Sequence, residues 1–369
     1  MRVALLSLLF LTLPSRGVGQ SLLSGADGKT LYHAACANCH ASDGKGASKD
    51  QVGFDTPLPD FTDCSYASRE AGQDWFTIVH EGGPRRGFSR RMPAFGGVLT
   101  AQEIGRVVTY MRSLCHDMAW PRGELNLPRA TFTEKAFPED ESVLTGRVTG
   151  GNDGNTRFDY VHEKRFGARN QLEVAVPMFF GHGSGTSGGR GGAHLGDISL
   201  GLKRVLFHTQ SLTAASIVSA GGEVVVPTGD ADLGFGNGTP VVEPFVLGAR
   251  MLGTNAFVQF HGGLEFPMDQ DKAPSEGFVR AVLGRSLVSG GFGRQWTPML
   301  EVLYTREFVR GAVHELDMVP QMQVSLSKRQ HIMASAGLRL PVTERTERKR
   351  EFVFYLMWDW FDGGLRDGW

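Results

Sequence analysis

The feature that most restricts the fold is an alternation of apolar and polar residues that runs from about residue 140 to the C-terminus. Successive side chains of a β-strand point to opposite faces, so a period of two predicts strands with one apolar and one polar face. The apolar faces extend over whole strands, for example at Leu172, Val174, Val176 and Met178, and again at Phe352, Phe354, Leu356, Trp358 and Trp360. Residues 140–369 are therefore predicted to form an all-β antiparallel domain.

The connections between these strands alternate in length. Short turns are expected near residues 167–169, 210–211, 252–254, 290–291 and 328–329, and longer polar loops at 181–194, 228–238, 268–275, 307–313 and 342–348. Short turns at one rim and long loops at the other are typical of outer-membrane β-barrels, and counting the segments gives about twelve strands. An even number of strands places both ends of the barrel at the short-turn, periplasmic rim.

A soluble β-sandwich is the main structural alternative, because its strands also alternate. Sandwich strands are usually shorter, their loops do not alternate in length, and their outer face is polar. The outer face here is apolar, and Trp358, Trp360 and Trp369 suit an interfacial girdle, so the sequence favours a transmembrane barrel. The opposite, inward face would carry charges that either pair and fill the lumen, which is favoured in a barrel of this size, or line a polar pore. These residues are Glu173, Glu223, Glu243, Glu265, Glu301, Lys203, Arg280 and Arg339.

The N-terminal part carries the motif Cys36-Ala37-Asn38-Cys39-His40. C-x-x-C-H is the signature for covalent attachment of c-type haem, in which two thiols bind the porphyrin edge and the histidine ligates the iron. A zinc site would need a second pair of ligands at a suitable spacing, which does not follow. A redox dithiol would sit at a strand-to-helix corner, whereas residues 29–35 read as a helix leading into the motif. The sequence thus favours a haem site.

Three further features follow in order: an amphipathic helix over residues 75–80, a Met92-Pro93 loop, and a capping box at residues 100–103 that opens a last helix. This order resembles the class I cytochrome c family over residues 25–116. The resemblance implies a small all-α domain with one covalent haem c, thioether bonds from Cys36 and Cys39, and axial ligation by His40 and Met92. His80 is the main rival to Met92, followed by Met111 and Met118.

The resemblance also implies that a proline carbonyl, from Pro57 or Pro59, accepts the second ring proton of the proximal histidine. Arg85, Arg86, Arg90 and Arg91 lie near Met92 in sequence. They either neutralise haem propionates or meet an acidic partner, or they are ordinary solvated loop charges.

The chain begins with Arg2, a short apolar stretch and small residues before Gln20, which predicts a secretory signal peptide over residues 1–19. Residues 20–116 are assigned to the haem domain, 117–139 to a proline-containing extended linker, and 140–369 to the barrel. The two remaining cysteines, Cys64 and Cys115, are expected to form a disulfide in the oxidising periplasm, the alternative being two buried thiols.

The formal net charge of −1 argues against nucleic acid as a partner. The sequence predicts a non-enzymatic electron carrier, held in the periplasm by its own outer-membrane barrel. Its partners would be periplasmic electron donor and acceptor proteins and the outer-membrane lipid. Two alternatives remain: a channel or transporter barrel with a regulatory or plug-like haem domain, and the electron-transfer part of a redox enzyme complex.

Overall fold

A computed structural model describes residues 25–54, 57–150, 156–181, 192–209, 211, 214–289 and 294–369. The predicted signal peptide and most of the loop expected at 181–194 lie outside these ranges, as do the turn at 290–291 and part of the one at 210–211. The chain folds into an N-terminal helical domain followed by a closed β-barrel, which confirms the predicted fold class.

The helical domain is built around the pairing of its first and last helices. α1 packs against α6 so closely that a Cβ on Gly28 would lie 2.2 Å from the carbonyl oxygen of Arg106. The capping box is present, since the Thr100 hydroxyl accepts from the Glu103 N–H at 3.3 Å and the Glu103 carboxylate accepts from the Thr100 N–H at 2.8 Å. The helices are α1 (Gly28–Ala35), α2 (Ala37–His40), α3 (Lys49–Val52), α4 (Cys64–Ala67), α5 (Gly72–Glu81) and α6 (Ala101–Ser113), with 3₁₀ turns at Gly83–Arg86 and Gly123–Leu125.

In the described ranges, the helices are all too short or too polar to cross a membrane. Their apolar faces instead meet in one core under the predicted periodic positions. The core contains Leu31, Tyr32, Trp75, Val79, Ile104, Val107, Val108 and Met111.

Twelve strands of the described chain close into a ring, because the first strand pairs with the last from Glu141↔Asp359 to Thr149↔Glu351. Two short strands lie beside this ring, β4 on β3 and β10 on β11. The strands are β1 (Glu141–Thr149), β2 (Thr156–Phe166), β3 (Asn170–Gly181), β4 (Gly192–Leu195), β5 (Ile198–His208), β6 (Ser216–Val226), β7 (Val241–Leu252), β8 (Ala256–Pro267), β9 (Glu276–Arg285), β10 (Leu287–Ser289), β11 (Arg294–Glu307), β12 (Glu315–Ser325), β13 (Ile332–Pro341) and β14 (Glu351–Asp359). The predicted count of twelve is confirmed.

The two faces of the barrel wall are divided as the alternation predicts. Apolar side chains point outward and are exposed, as at Leu172, which is 52% exposed, Leu200 at 51% and Leu356 at 49%. The alternate positions, including Lys203 and Glu301, are buried inside the barrel. This largely apolar exterior matches hydrocarbon rather than water, because exposing it to water is unfavourable.

The lumen is occupied by the chain that leads from the helical domain into β1. Residues 128–139 enter the barrel, and the structure therefore places the end of the predicted linker inside the lumen. We call residues 128–139 the lumen segment. Its backbone and side chains bond to residues on ten of the twelve ring strands: Glu141, Glu163, Gln171, Lys203, Ser219, Gln259, Arg280, Glu301, Gln321 and Tyr355.

Buried ion pairs hold both ends of the lumen segment. Arg129 Nη1 lies 2.6 Å from the Glu141 carboxylate and 2.8 Å from that of Glu163. Lys135 Nζ lies 2.6 Å from Glu139 and 3.2 Å from Glu141. Pairing these charges offsets the free energy of taking them out of water, so the filled lumen is electrostatically consistent.

Candidate haem-binding site

The C-x-x-C-H motif forms the corner between α1 and α2. Cys36 ends α1, where its N–H donates to the Tyr32 carbonyl at 2.8 Å, and its own carbonyl accepts from the N–H groups of Cys39 and His40 at 3.1 and 2.9 Å. Both cysteines are free thiols. The corner therefore presents two unpaired thiols and one imidazole from a single turn of chain.

Tyr32 fixes the far side of this corner. Its buried hydroxyl lies 2.8 Å from the carbonyl oxygen of Ala41 and 3.1 Å from that of His40. Ala41 has φ of +58°, a conformation that favours glycine and that ends α2 directly after the histidine. The hydrogen bonds from Tyr32 stabilise this turn and so hold His40 in place. Sequence reasoning did not identify this role.

The protonation state of the His40 imidazole suits a metal ligand. Burial lowers the pKa of His40 to about 4, so its ring is neutral at neutral pH, which is the form that binds metals. The ring lies 5.1 Å from the ring of Phe61 in the core. Burial, and then the nearby Cys39, raise the pKa of the Cys36 thiol to about 11.

His40 Nδ1 is buried and has no hydrogen-bond partner among the described residues. Within the described residues, neither of the expected acceptors, the carbonyls of Pro57 and Pro59, forms a hydrogen bond with His40 Nδ1. The sequence did not specify the conformation of residues 53–59, on which such a bond would depend. The free thiols, the neutral imidazole and this unpaired nitrogen together fit a c-type haem.

Met92 lies in the loop after the 3₁₀ turn and packs, partly buried, against the same core as Cys36. Its carbonyl accepts from the Gly83 N–H at 3.0 Å. A Cβ on Gly83 would lie 3.1 Å from the Cβ of Met92, so the two segments approach closely because residue 83 is glycine. The loop thus brings Met92 to the core that contains the motif.

The rivals to Met92 lie in other environments. His80 is at the surface, with its side chain 39% exposed and Nδ1 2.6 Å from the Glu81 carboxylate. Met111 is part of the core on α6, and Met118 is 63% exposed beyond the end of that helix. Of the nearby arginines, Arg86 is buried and donates to Asp74 at 2.6 Å, so its charge forms an ion pair within the helical domain.

Cys64 and Cys115 form a disulfide with a Cα–Cα distance of 5.1 Å. It joins the start of α4 to the chain just after α6, as the sequence predicted. This crosslink constrains the unfolded chain and so stabilises the helical domain.

The helical domain contacts the short-turn rim of the barrel. Arg69 forms an ion pair with Asp140 at the entrance to β1, and its guanidinium lies 4.4 Å from the centre of the Phe361 ring. From the turn between β12 and β13, Arg329 donates to the carbonyl of Gly87 at 3.1 Å. A cavity of about 1770 Å³ lies along this contact and extends into the mouth of the barrel. The helical domain therefore lies on the short-turn rim, where the sequence predicts it.

The fold and the motif define a class: a small helical domain with a c-type haem corner, fused to a closed twelve-stranded barrel of outer-membrane type. Comparison with known proteins assigns the first part more narrowly. Residues 24–111 match the family model "Cytochrome C oxidase, cbb3-type, subunit III". Cytochrome c-555 of Prosthecochloris aestuarii is 36% identical over 90 residues, which are 23% of this chain and 83% of that protein. Through this domain the chain belongs to the c-type cytochromes, a haem-binding family.

The barrel is similar to an outer membrane channel from Pseudomonas putida F1, with a TM-score of 0.43 and 14% identity over 63% of this chain and 99% of the channel. It is also similar to the KdgM porin, with a TM-score of 0.34 and 8% identity over 59% of this chain and 98% of the porin. The assignment of the fold rests on the closed strand pairing and the apolar exterior of this chain itself. On that basis the protein is a cytochrome c domain carried by an outer-membrane barrel.

Proposed function

We propose that the protein is a mono-haem c-type cytochrome that carries electrons in the periplasm and is anchored to the outer membrane by its own barrel. One observation supports this most directly: two free thiols and a buried neutral imidazole share one helical corner, in a domain docked on the short-turn rim. That rim is the periplasmic one in barrels of this type.

Each residue of the proposed site has a distinct role. Cys36 and Cys39 would hold the porphyrin by thioether bonds, and His40 and Met92 would be the axial ligands. When bound, haem supplies one-electron redox chemistry, with a potential that is raised by a methionine ligand and by burial. Tyr32 positions His40 through the turn that follows it, and the core of α1, α5 and α6 excludes water from the site.

The proposed partners are periplasmic proteins that give and take electrons. A single haem on one rim cannot pass electrons across an apolar layer of about 30 Å. The barrel therefore acts as an anchor that keeps the domain at the inner surface of the membrane, and its filled lumen supports this role over an open channel.

Haem attachment can be tested with two matched pairs of cysteines. In the variant Cys36→Ser/Cys39→Ser we expect haem to be lost on a denaturing gel stained for haem peroxidase activity. In Cys64→Ser/Cys115→Ser, which removes the disulfide, we expect haem to remain bound. Full retention of haem by the first variant would contradict the proposal, whatever the second one shows.

A further inference from the structure

The lumen segment separates two spaces inside the barrel. On the periplasmic side, the cavity of about 1770 Å³ reaches Lys135, Glu141 and Gln323 in the lumen. On the side of the long loops, a chamber of about 230 Å³ is lined by Arg147, Arg157 and Glu351, among others. Polar spaces on both sides of an obstruction are the arrangement of a closed pore rather than of a solid core.

The inward wall of the outer half is polar. Adjacent strands β6, β7, β8 and β9 carry Glu223, Glu243, Glu265 and Glu276 on their inward face, and none of these carboxylates forms an ion pair within 4.0 Å among the described residues. On the opposite side of the ring, the arginines are neutralised. Arg147 lies 2.8 Å from Asp159, and Arg339 lies 2.7 Å from Asp317.

These four carboxyls therefore give the inward face of β6 to β9 a polar wall that is not closed by ion pairs among the described residues. A lumen that was filled only for stability would be expected to pair these groups or to replace them by apolar residues. A polar inner wall of this kind suits a passage for small ions better than a sealed core.

The lumen segment is also connected directly to the helical domain. Just before it, the Glu124 carboxylate accepts from the Gly72 N–H at 3.0 Å at the start of α5 and lies 3.9 Å from Arg112 on α6. Leu125 and Leu127 continue from this point into the apolar contact with the barrel mouth. A movement of the helical domain away from the rim would thus pull on the segment.

From these observations we infer that the lumen segment is an inhibitory plug in a barrel that can conduct small ions, and that docking of the helical domain holds it in place. This function is separate from electron transfer and does not depend on the haem. Phe235, in the loop between β6 and β7, also lines the outer chamber of about 230 Å³, so the conductance of the opened barrel should be small.

The test is the conductance of the full chain in planar bilayers with a gradient of KCl. The wild-type protein should be closed for most of the time. Replacement of residues 128–139 by a Gly/Ser sequence of equal length should produce discrete channel openings. Heat-modifiable gel migration and an unchanged haem spectrum confirm that each variant is folded.

Phe235→Ala in the plug-replaced background enlarges the outer chamber, which Phe235 lines. If the plug-replaced protein is silent with and without Phe235→Ala, the inference is wrong. A wild-type protein that conducts continuously would also overturn it.

The role of docking has its own matched pair. Glu124→Ala breaks the contacts with α5 and α6 and should increase the frequency of openings at least several-fold. Glu81→Ala removes an exposed carboxylate at the end of α5, away from the lumen segment, and should leave the frequency unchanged. Equal frequencies in the two variants would contradict control by the helical domain.

Discussion

At the scale of single residues, Met92 is the least constrained part of the proposed site, since methionines often only fill gaps in a core. Its replacement tests ligation directly. In Met92→Ala the iron would lose a thioether ligand, so the visible spectra of both oxidation states should change and the reduction potential should fall. Spectroelectrochemical titration of the purified protein measures both effects.

The matched control is Met118→Ala. Met118 is exposed beyond α6, and its removal should leave the spectra and the potential as they are. If Met92→Ala gives the same result as this control, Met92 packs against the core without binding iron, and His80 becomes the next residue to replace.

At the scale of secondary-structure elements, α6 depends on its N-terminal capping box. Thr100→Ala removes the hydroxyl that accepts from Glu103 and should lower the free energy of unfolding of the helical domain by about 1 kcal/mol. Urea unfolding of the full chain in detergent, followed by haem absorbance, measures this change.

A second threonine of the same helix provides the control. Thr109 is exposed in the middle of α6, where its hydroxyl donates to the Gly105 carbonyl at 2.8 Å. Thr109→Ala should change stability by no more than a few tenths of a kcal/mol, and in the stabilising direction, because alanine has the higher helix propensity. Equal destabilisation by both substitutions would mean that the cap is not what matters at Thr100.

The elements themselves were largely predictable, because each depends on a local signal. Alternation at Leu172 or Phe352 identifies the outward face of a strand, and Thr100 with Glu103 identifies the start of α6. The location of the lumen segment was not predictable in this way. Arg129 and Lys135 look like solvated linker charges, and their partners become apparent only when the ring is closed. The contact of Thr131 with Gln321 spans 190 residues, and no local pattern encodes it.

The environment of His40 likewise has a part that the sequence predicts and a part that it does not. The motif predicts the thiols and the imidazole, because covalent chemistry fixes their spacing. The support from Tyr32 depends on how α1 and the turn after α2 pack together, and among the described residues no proline carbonyl accepts from His40 Nδ1. The backbone conformation of loops carries little signature in sequence, so the contacts around the His40 ring were less predictable than the motif.

At the scale of the whole molecule, the interface between the helical domain and the barrel contains a group of carboxyls. Glu70, Asp359 and Asp362 have oxygens within 4.8 Å of one another. Burial and the charge of Asp359 raise the pKa of Asp362 from 3.8 to about 8, although Arg329 opposes the shift. Burial and the nearby Asp362 likewise raise the pKa of Glu70, with Asp74 and Glu139 adding to the effect.

These raised pKa values make docking of the domain dependent on pH. The docked state keeps protons that the separated surfaces would release, so docking is strongest at low pH and weakens as the pH rises from about 4 toward about 8. Above that range both states are ionised and the dependence ends. Hydrogen exchange of residues 66–74 and 360–369 in the full chain, corrected for intrinsic exchange rates, should therefore show protection that decreases between pH 5 and pH 8 (roughly the window set by these groups).

Asp362→Asn removes one titrating group and should flatten this dependence, because the amide stays neutral throughout. Asp271→Asn, on an exposed loop at the opposite rim, should leave the dependence as in the wild-type protein. If the pH dependence of protection is unchanged in Asp362→Asn, the carboxyls at the domain interface do not control docking. If docking also holds the lumen segment in place, the same rise in pH should make openings of the wild-type barrel more frequent, and Asp362→Asn should suppress that increase.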